Sequence, residues 1–222
     1  MQQRQWLRAR LAERRTVWGA GCYDALSAKL IEAAGFEAVL TSGFGISASF
    51  LGKPDVELYT MTENLAVTRQ VVSTVKIPVI ADCDTGYGNA VNVMRTVREF
   101  EQAGVAAVIL EDQVVPKRCP AIANRIELIP TGEGVAKIKA AVEARRDPDL
   151  VIIALATVIS AVSGKNAMPA IASRSCGERS FSSQPSTCSD TGTPAAWPKR
   201  RSMAPSFIVL EIGCTMSAPA AT

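Results

Sequence analysis

The 222-residue chain contains no histidine. That removes Ser-His-Asp and Cys-His catalysis and every imidazole-ligated metal, so acid–base work falls to carboxylates, cysteine, lysine or tyrosine. Six cysteines (Cys22, Cys83, Cys119, Cys176, Cys188 and Cys214) are scattered with no CxxC pair, which argues against zinc ribbons and redox dithiols. In a reducing compartment they stay free thiols. No apolar run reaches the ~18 residues that a bilayer span takes, and residues 1–15 carry charge throughout, without the apolar segment of a secretory signal. The chain is therefore expected to be soluble and cytoplasmic, with no membrane partner. A net charge of only +3 gives no general grip on nucleic acid either.

What is present, up to residue 154, is an alternation of strand and helix signals. Residues 16–19 and 37–40 read as strands, and between them Leu26, Leu30, Ile31 and Ala34 form the apolar face of a helix that stops at Gly35. A long loop over 42–59 leads to a helix from about Thr62, with Thr60 and Glu63 spaced as a capping box. Next come a strand over 78–81 and a helix over 90–103, capped by Asn89 and ended by Gly104. A strand over 105–110, a helix over 132–146 and a strand over 150–154 complete the series. Five successive βα units predict a parallel sheet of the α/β class with both faces covered. The length suits one domain, whereas a complete eight-unit barrel takes about 250 residues.

Beyond residue 154 the composition changes. Most of the serines and half of the prolines lie there, acids are scarce, and the whole net charge of +3 originates there. The stretch 180–194 has neither helical nor strand periodicity. Residues 1–154 are thus expected to form a partial barrel carrying the site, and 155–222 an irregular, poorly ordered tail. We read the break as a change of reading frame near residue 155; a flexible extension is the alternative.

The chemistry concentrates in Asp82-Cys83-Asp84-Thr85-Gly86-Tyr87-Gly88-Asn89, two carboxylates at the end of an apolar strand and just before a helix. Loops after the strands are where parallel α/β folds carry their sites. With Gly21-Cys-Tyr-Asp-Ala25, Thr41-Ser-Gly43, Glu111-Asp-Gln113 and Pro116-Lys-Arg-Cys119 in the same order, residues 10–154 resemble the isocitrate lyase and phosphoenolpyruvate mutase superfamily. The resemblance implies a (β/α)8 TIM barrel, about five of whose units are recognisable here. It implies Mg²⁺ (or Mn²⁺) and a small 2-oxo or 2-hydroxy acid bound at the C-terminal strand ends.

Under that resemblance the metal ligands are Asp82, Asp84, Glu111 and Asp55, all hard oxygen donors. Taken singly, Asp84 and Asp55 read equally as turn residues. Ser42 and Gly43 match the pair that holds the substrate carboxylate and enolate oxygen. Tyr23 and Asp24 match substrate-side positions, although Asp24 also suits a helix start. Lys117-Arg118-Cys119 resembles the lyase branch, whose cysteine moves a proton at the enolate carbon while neighbouring cations favour the thiolate. An inert thiol is the alternative for Cys119.

Two departures stand out. Pro120-Ala121 replaces the Gly-His that continues the family loop, and Ala154-Leu155-Ala156-Thr157 stands where the family reads Ala-Arg-Thr-Asp. Leu155 therefore replaces an arginine that clamps the substrate carboxylate. The implied activity is Mg-dependent carbon–carbon cleavage of a methylisocitrate- or dimethylmalate-type 2-hydroxy acid, through an enolate of a 2-oxo acid. A carboxyphosphonoenolpyruvate or phosphoenolpyruvate mutase, an oxaloacetate decarboxylase, and an inactive truncated copy are the alternatives. Members are commonly dimers or tetramers, but the helices they exchange have no recognisable counterpart here.

Overall fold

The computed structural model describes residues 2–117 and 127–155. Cys119, Arg118 and the predicted tail from residue 156 onward lie outside the described residues. In chain order the elements are α1 (Gln2–Ala12), β1 (Gly19–Cys22), α2 (Ala25–Ala33), β2 (Ala38–Thr41), α3 (Gly43–Ile46), a π-helical turn (Ser47–Leu51) and α4 (Met61–Thr74). Then follow β3 (Val79–Asp82), α5 (Ala90–Ala103), β4 (Ala107–Glu111), α6 (Thr131–Ala144) and β5 (Val151–Leu155).

All five strands are parallel, and their spatial order is their sequence order. An order without reversal is that of a barrel wall, not of a doubly wound sheet. Side chains alternate along each strand, so one set faces the helices and the next the opposite side. Val39, Val79, Ala81, Val108 and Leu110 pack with Val71, Val93, Val97, Phe100 and Ala141 of the helices. Ala38, Leu40, Ile80, Ala107, Ile109 and Ile153 form the other, inner face with Leu7 and Leu11. Full burial of a residue such as Phe100 or Ile80 contributes about 1.5–3 kcal/mol.

Helix α5 is built by its ends as predicted: Asn89 Oδ1 accepts from Val91 N at 2.9 Å, and Gly104 takes φ 97° to end it. At α4, the Thr60 N–H donates back to Glu63 Oε2 at 2.5 Å.

Four elements differ from the sequence reading: in α2, Leu26 and Leu30 of the expected apolar face are exposed and Ala28 is the residue that is buried. Helix α1 was not anticipated, yet Leu7 and Leu11, one turn apart, bury its apolar edge. Arg4 fixes it, with Nε donating to Val105 O at 2.8 Å and Nη1 paired with Asp147 at 2.8 Å. Those partners precede β4 and β5, so α1 covers the inner face at the N-terminal strand ends. Strand β1 begins at Gly19, three residues later than expected, and pairs Gly19 with Ala38 through Cys22 with Thr41. Pairing overrides the weak strand propensity of Gly-Ala-Gly: a Cβ at position 19 would stand 2.5 Å from the Leu40 side chain, so glycine lets the strands approach. Finally, the predicted loop over 42–59 opens with α3 and the π-helical turn, capped by Ser42 and ended by Gly52 at φ 61°.

Candidate active site

Strand alternation aims the site. Ile80 and Ile109 face inward, so Asp82 and Glu111, two residues further on, face inward at the C-terminal ends of β3 and β4. Asp82 Oδ2 accepts from Gly43 N at 2.8 Å and Oδ1 from Asp84 N at 3.1 Å. Asp84 is fully buried and left-handed, φ 49°, a conformation Asp tolerates better than most residues. Its Oδ2 accepts from Tyr59 Oη at 2.5 Å and Tyr87 Oη at 2.9 Å. Helix α4 supports the turn from beneath: Asn64 Nδ2 donates to Asp82 O at 2.8 Å and Tyr87 Oη at 2.6 Å, while Thr68 Oγ1 donates to Asn64 Oδ1 at 3.1 Å.

Among the described residues, Lys117 is the buried cation that pairs with these acids. Lys117 Nζ is in close contact with Asp84 Oδ1, 3.1 Å from Asp55 Oδ1 and 3.9 Å from Glu111 Oε1. The Lys117 N–H donates to Glu57 Oε2 at 3.1 Å, and Glu57 Oε1 accepts from Thr85 Oγ1 at 2.5 Å. Glu111 Oε2 accepts from Gln113 Nε2 at 2.7 Å.

Burial pushes Glu111 up to about 8, with Lys117 opposing and the other carboxylates adding to the shift. Asp82 rises to about 6, first from burial and then from Asp84. Asp55 also rises, by burial against the pull of Lys117. For Lys117 burial alone would lower the ammonium, but the surrounding carboxylates outweigh it and hold it above the usual lysine range. Among the described residues no three Asp, Glu or Cys side chains form a ready-made metal cage. The donors nonetheless fit Mg²⁺, which keeps several waters and takes few protein carboxylates. They are all hard oxygens, and Asp55 Oδ1 and Asp84 Oδ1 are buried without a directed hydrogen bond despite their nearness to Lys117.

The phosphoenolpyruvate phosphomutase family profile matches residues 7–174. The chain belongs to the phosphoenolpyruvate mutase/isocitrate lyase superfamily. It is 53% identical over 148 residues to a 2,3-dimethylmalate lyase of Eubacterium barkeri, covering 67% of this chain and 51% of that one. It is 39% identical over 175 residues to an oxaloacetate decarboxylase of a Bradyrhizobium species, covering 78% and 60%. Among solved structures it resembles a phosphonopyruvate hydrolase in complex with oxalate and Mg²⁺, with a TM-score of 0.64 and 42% identity over 70% of this chain and 53% of that one. The chain thus spans about half the length of the curated relatives it matches.

Of the superfamily positions expected from sequence, the structure converges Asp55, Asp82, Asp84, Glu111 and Lys117 into one cluster, with Gly43 against it. Ser42 stands alongside, but its N–H donates to Cys22 O at 2.8 Å and its Oγ caps α3 by accepting from Gly45 N at 3.2 Å. With the Gly43 N–H given to Asp82, the backbone N–H groups of both residues are used within the protein. Asp24 Oδ1 accepts from Ser27 N at 2.7 Å as the cap of α2, and Tyr23, 43% exposed, packs under Gly45. Cys119 lies outside the described residues. The sequence reading missed Tyr59, Asn64 and Glu57, and gave no role to Tyr87 and Gln113 within the motifs it quoted. Asn64 and Thr68 carried a signal, because they are polar residues one turn apart on the face that buries Met61, Leu65 and Val71.

Proposed function

We propose that this chain carries the site of a Mg²⁺-dependent carbon–carbon lyase acting on a 2-hydroxy dicarboxylate or tricarboxylate of the dimethylmalate or methylisocitrate type. The observation that carries this reading is the carboxylate cluster at the C-terminal ends of adjacent strands β3 and β4, beside Ser42 and Gly43. Likeness to a 2,3-dimethylmalate lyase supports the substrate class, and the Mg²⁺ in a related hydrolase supports the metal. Asp55, Asp82, Asp84 and Glu111 are the residues that would hold Mg²⁺. Bound there, it would polarise the oxygens of the 2-oxo group as it forms.

The rest of the chemistry belongs to the chain. A cluster carboxylate accepts the proton of the substrate hydroxyl, the carbon–carbon bond breaks, and a 2-oxo acid is left on one side. The bond's electron pair moves onto the carbon next to the departing carboxylate, so the charge develops on that fragment and not on the 2-oxo acid, as the sequence reading had it. Cys119 then protonates that carbon. Ser42 still has its hydroxyl proton to offer a substrate carboxylate.

A decarboxylase or mutase reading uses the same cradle and is favoured by the likeness to an oxaloacetate decarboxylase and to the mutase profile. Inactivity is favoured by Leu155, which pairs with Glu111 where the resemblance expects arginine. The purified chain is assayed with Mg²⁺ and 2,3-dimethylmalate, methylisocitrate or oxaloacetate, following 2-oxo acid. Lyase turnover that Asp82→Ala and Cys119→Ser both abolish supports the proposal. Oxaloacetate turnover that survives Cys119→Ser favours a decarboxylase, and turnover no higher than in Asp82→Ala favours inactivity. We also propose that residues 155–222 follow a change of reading frame. Translating the coding DNA past codon 154 in the other two frames tests this, and it fails if neither yields Arg-Thr-Asp and further βα units.

A further inference from the structure

The oxygens of the carboxylate cluster divide into two groups. Neutral donors satisfy one group: Tyr59 and Tyr87 serve Asp84 Oδ2, the Gly43 and Asp84 amides serve Asp82, and Gln113 serves Glu111 Oε2. The other group, Asp84 Oδ1 and Asp55 Oδ1, is buried and, among the described residues, pairs with Lys117 Nζ. The Lys117 side chain is 4% exposed. An ammonium so deeply withdrawn from water is tolerated because charge surrounds it. These two oxygens are the donors most available to a metal, and the lysine already occupies them.

We propose that Lys117 is the resident counter-ion of the metal-free site, and that a divalent cation enters by displacing its ammonium from Asp84 and Asp55. The inference rests on the metal reading above and deepens it. Charge favours the exchange, because one ammonium faces Asp55, Asp84 and Glu111 at once, and a doubly charged ion neutralises more of that excess. Local geometry favours a side-chain swing over detachment of the segment. Glu57 ties the Lys117 main chain to Thr85, while the lysine stem has rotatable bonds to spare. Lys117 thereby weakens metal binding by the fraction of time it is seated, and metal occupancy sets whether its amine is buried or free.

The test uses the full chain stripped with EDTA. Mg²⁺ is titrated calorimetrically into wild type, Lys117→Met and Asp82→Ala, and wild type is treated with an acetylating ester with and without Mg²⁺, reading each lysine by mass spectrometry. Lys117→Met should bind Mg²⁺ about tenfold tighter, the factor for a site that is free of lysine one time in ten. Lys117 should be protected in EDTA and acetylated several-fold faster at saturating Mg²⁺, while exposed Lys53 does not change. Both results are required. If Mg²⁺ binds wild type and Asp82→Ala abolishes binding, yet Lys117 stays protected or Lys117→Met binds no tighter, displacement is overturned and the metal reading stands. If neither wild type nor Lys117→Met binds Mg²⁺, both fall. Should Lys117→Met not fold, acetylation of the wild type decides alone.

Discussion

The Gly43 N–H donates to Asp82 Oδ2 at 2.8 Å, tying the end of β2 to the end of β3. No other residue type fits there, since a Cβ on residue 43 would stand 2.6 Å from Tyr59 Oη, 2.9 Å from Asp82 Oδ2 and 3.0 Å from Asp84 Oδ1. Tyr59 Oη and Asp82 Oδ2 are hydrogen-bonded and Asp84 Oδ1 is paired with Lys117, so none of the three can move aside independently. Gly43→Ala should cost about 1–3 kcal/mol of stability by overpacking. It should also weaken Mg²⁺ binding, because the carboxylates shift together. Urea denaturation and Mg²⁺ calorimetry check both, and a variant matching wild type in each would remove Gly43 from the site.

Tyr59 offers a cleaner perturbation. Its hydroxyl donates to Asp84 at 2.5 Å in a fully buried setting, and burial with nearby negative charge pushes its own ionisation well above the ordinary tyrosine range. The hydroxyl therefore acts as a fixed donor. Tyr59→Phe leaves the ring in place and removes one of two hydroxyls from Asp84 Oδ2, a loss of about 1.5–3 kcal/mol for a hydrogen bond to a charged group. The midpoint of urea unfolding should fall with an unchanged slope.

Metal-free stability should depend on pH in a definite direction. Glu111 is raised from 4.5 to about 8 and Asp82 from 3.8 to about 6, each chiefly by burial. An acid with a higher pKa folded than unfolded holds more protons in the folded state between those values, so stability falls as pH rises through the window. Lys117 stays protonated throughout. In EDTA, unfolding free energy should therefore drop between pH 3.8 and about pH 8. Saturating Mg²⁺ should flatten the drop, because it binds the ionised carboxylates. A flat profile in EDTA contradicts the crowding of these acids.

Local chemistry made some of this legible in the sequence and hid the rest. Helix α5 could be read to the residue because Asn89 and Gly104 act on their own neighbours. Asp82 and Glu111 stand out because each ends an apolar strand, whereas Asp84 and Asp55 were named as ligands only through the family resemblance. Lys117 was different: beside Cys119 it reads as a promoter of the thiolate, and only folding across 62 residues brings it to Asp55. Tyr59 and Glu57 were silent for the same reason, their partners being Asp84 and Thr85 on another loop. Helix α1 was obscured by its own charge, since Leu7 and Leu11 stand among arginines and glutamines. β1 was misplaced because glycine, which lets two strands approach, is what propensity counts against a strand.

Leu155 is the position where a clamp for a substrate carboxylate could be added. It ends β5 directly opposite Glu111 and lies on the inner face with Ile153 and Trp6. Neighbouring strands lie about 4.8 Å apart, so a guanidinium extending from residue 155 reaches past Glu111 toward the acids' open side. Leu155→Arg loses part of a leucine's burial, about 1–2 kcal/mol. In exchange it supplies a planar fork for a carboxylate, worth about 1.5–3 kcal/mol as a charged hydrogen bond, so oxalate or pyruvate should bind roughly tenfold to a hundredfold tighter with Mg²⁺ present. Leu155→Lys separates charge from shape: it adds the same charge without the fork, and should recover only part of the gain. Equal gains from both variants would mean that net charge alone attracts the acid. No gain from either would place the end of β5 out of reach of the bound ligand.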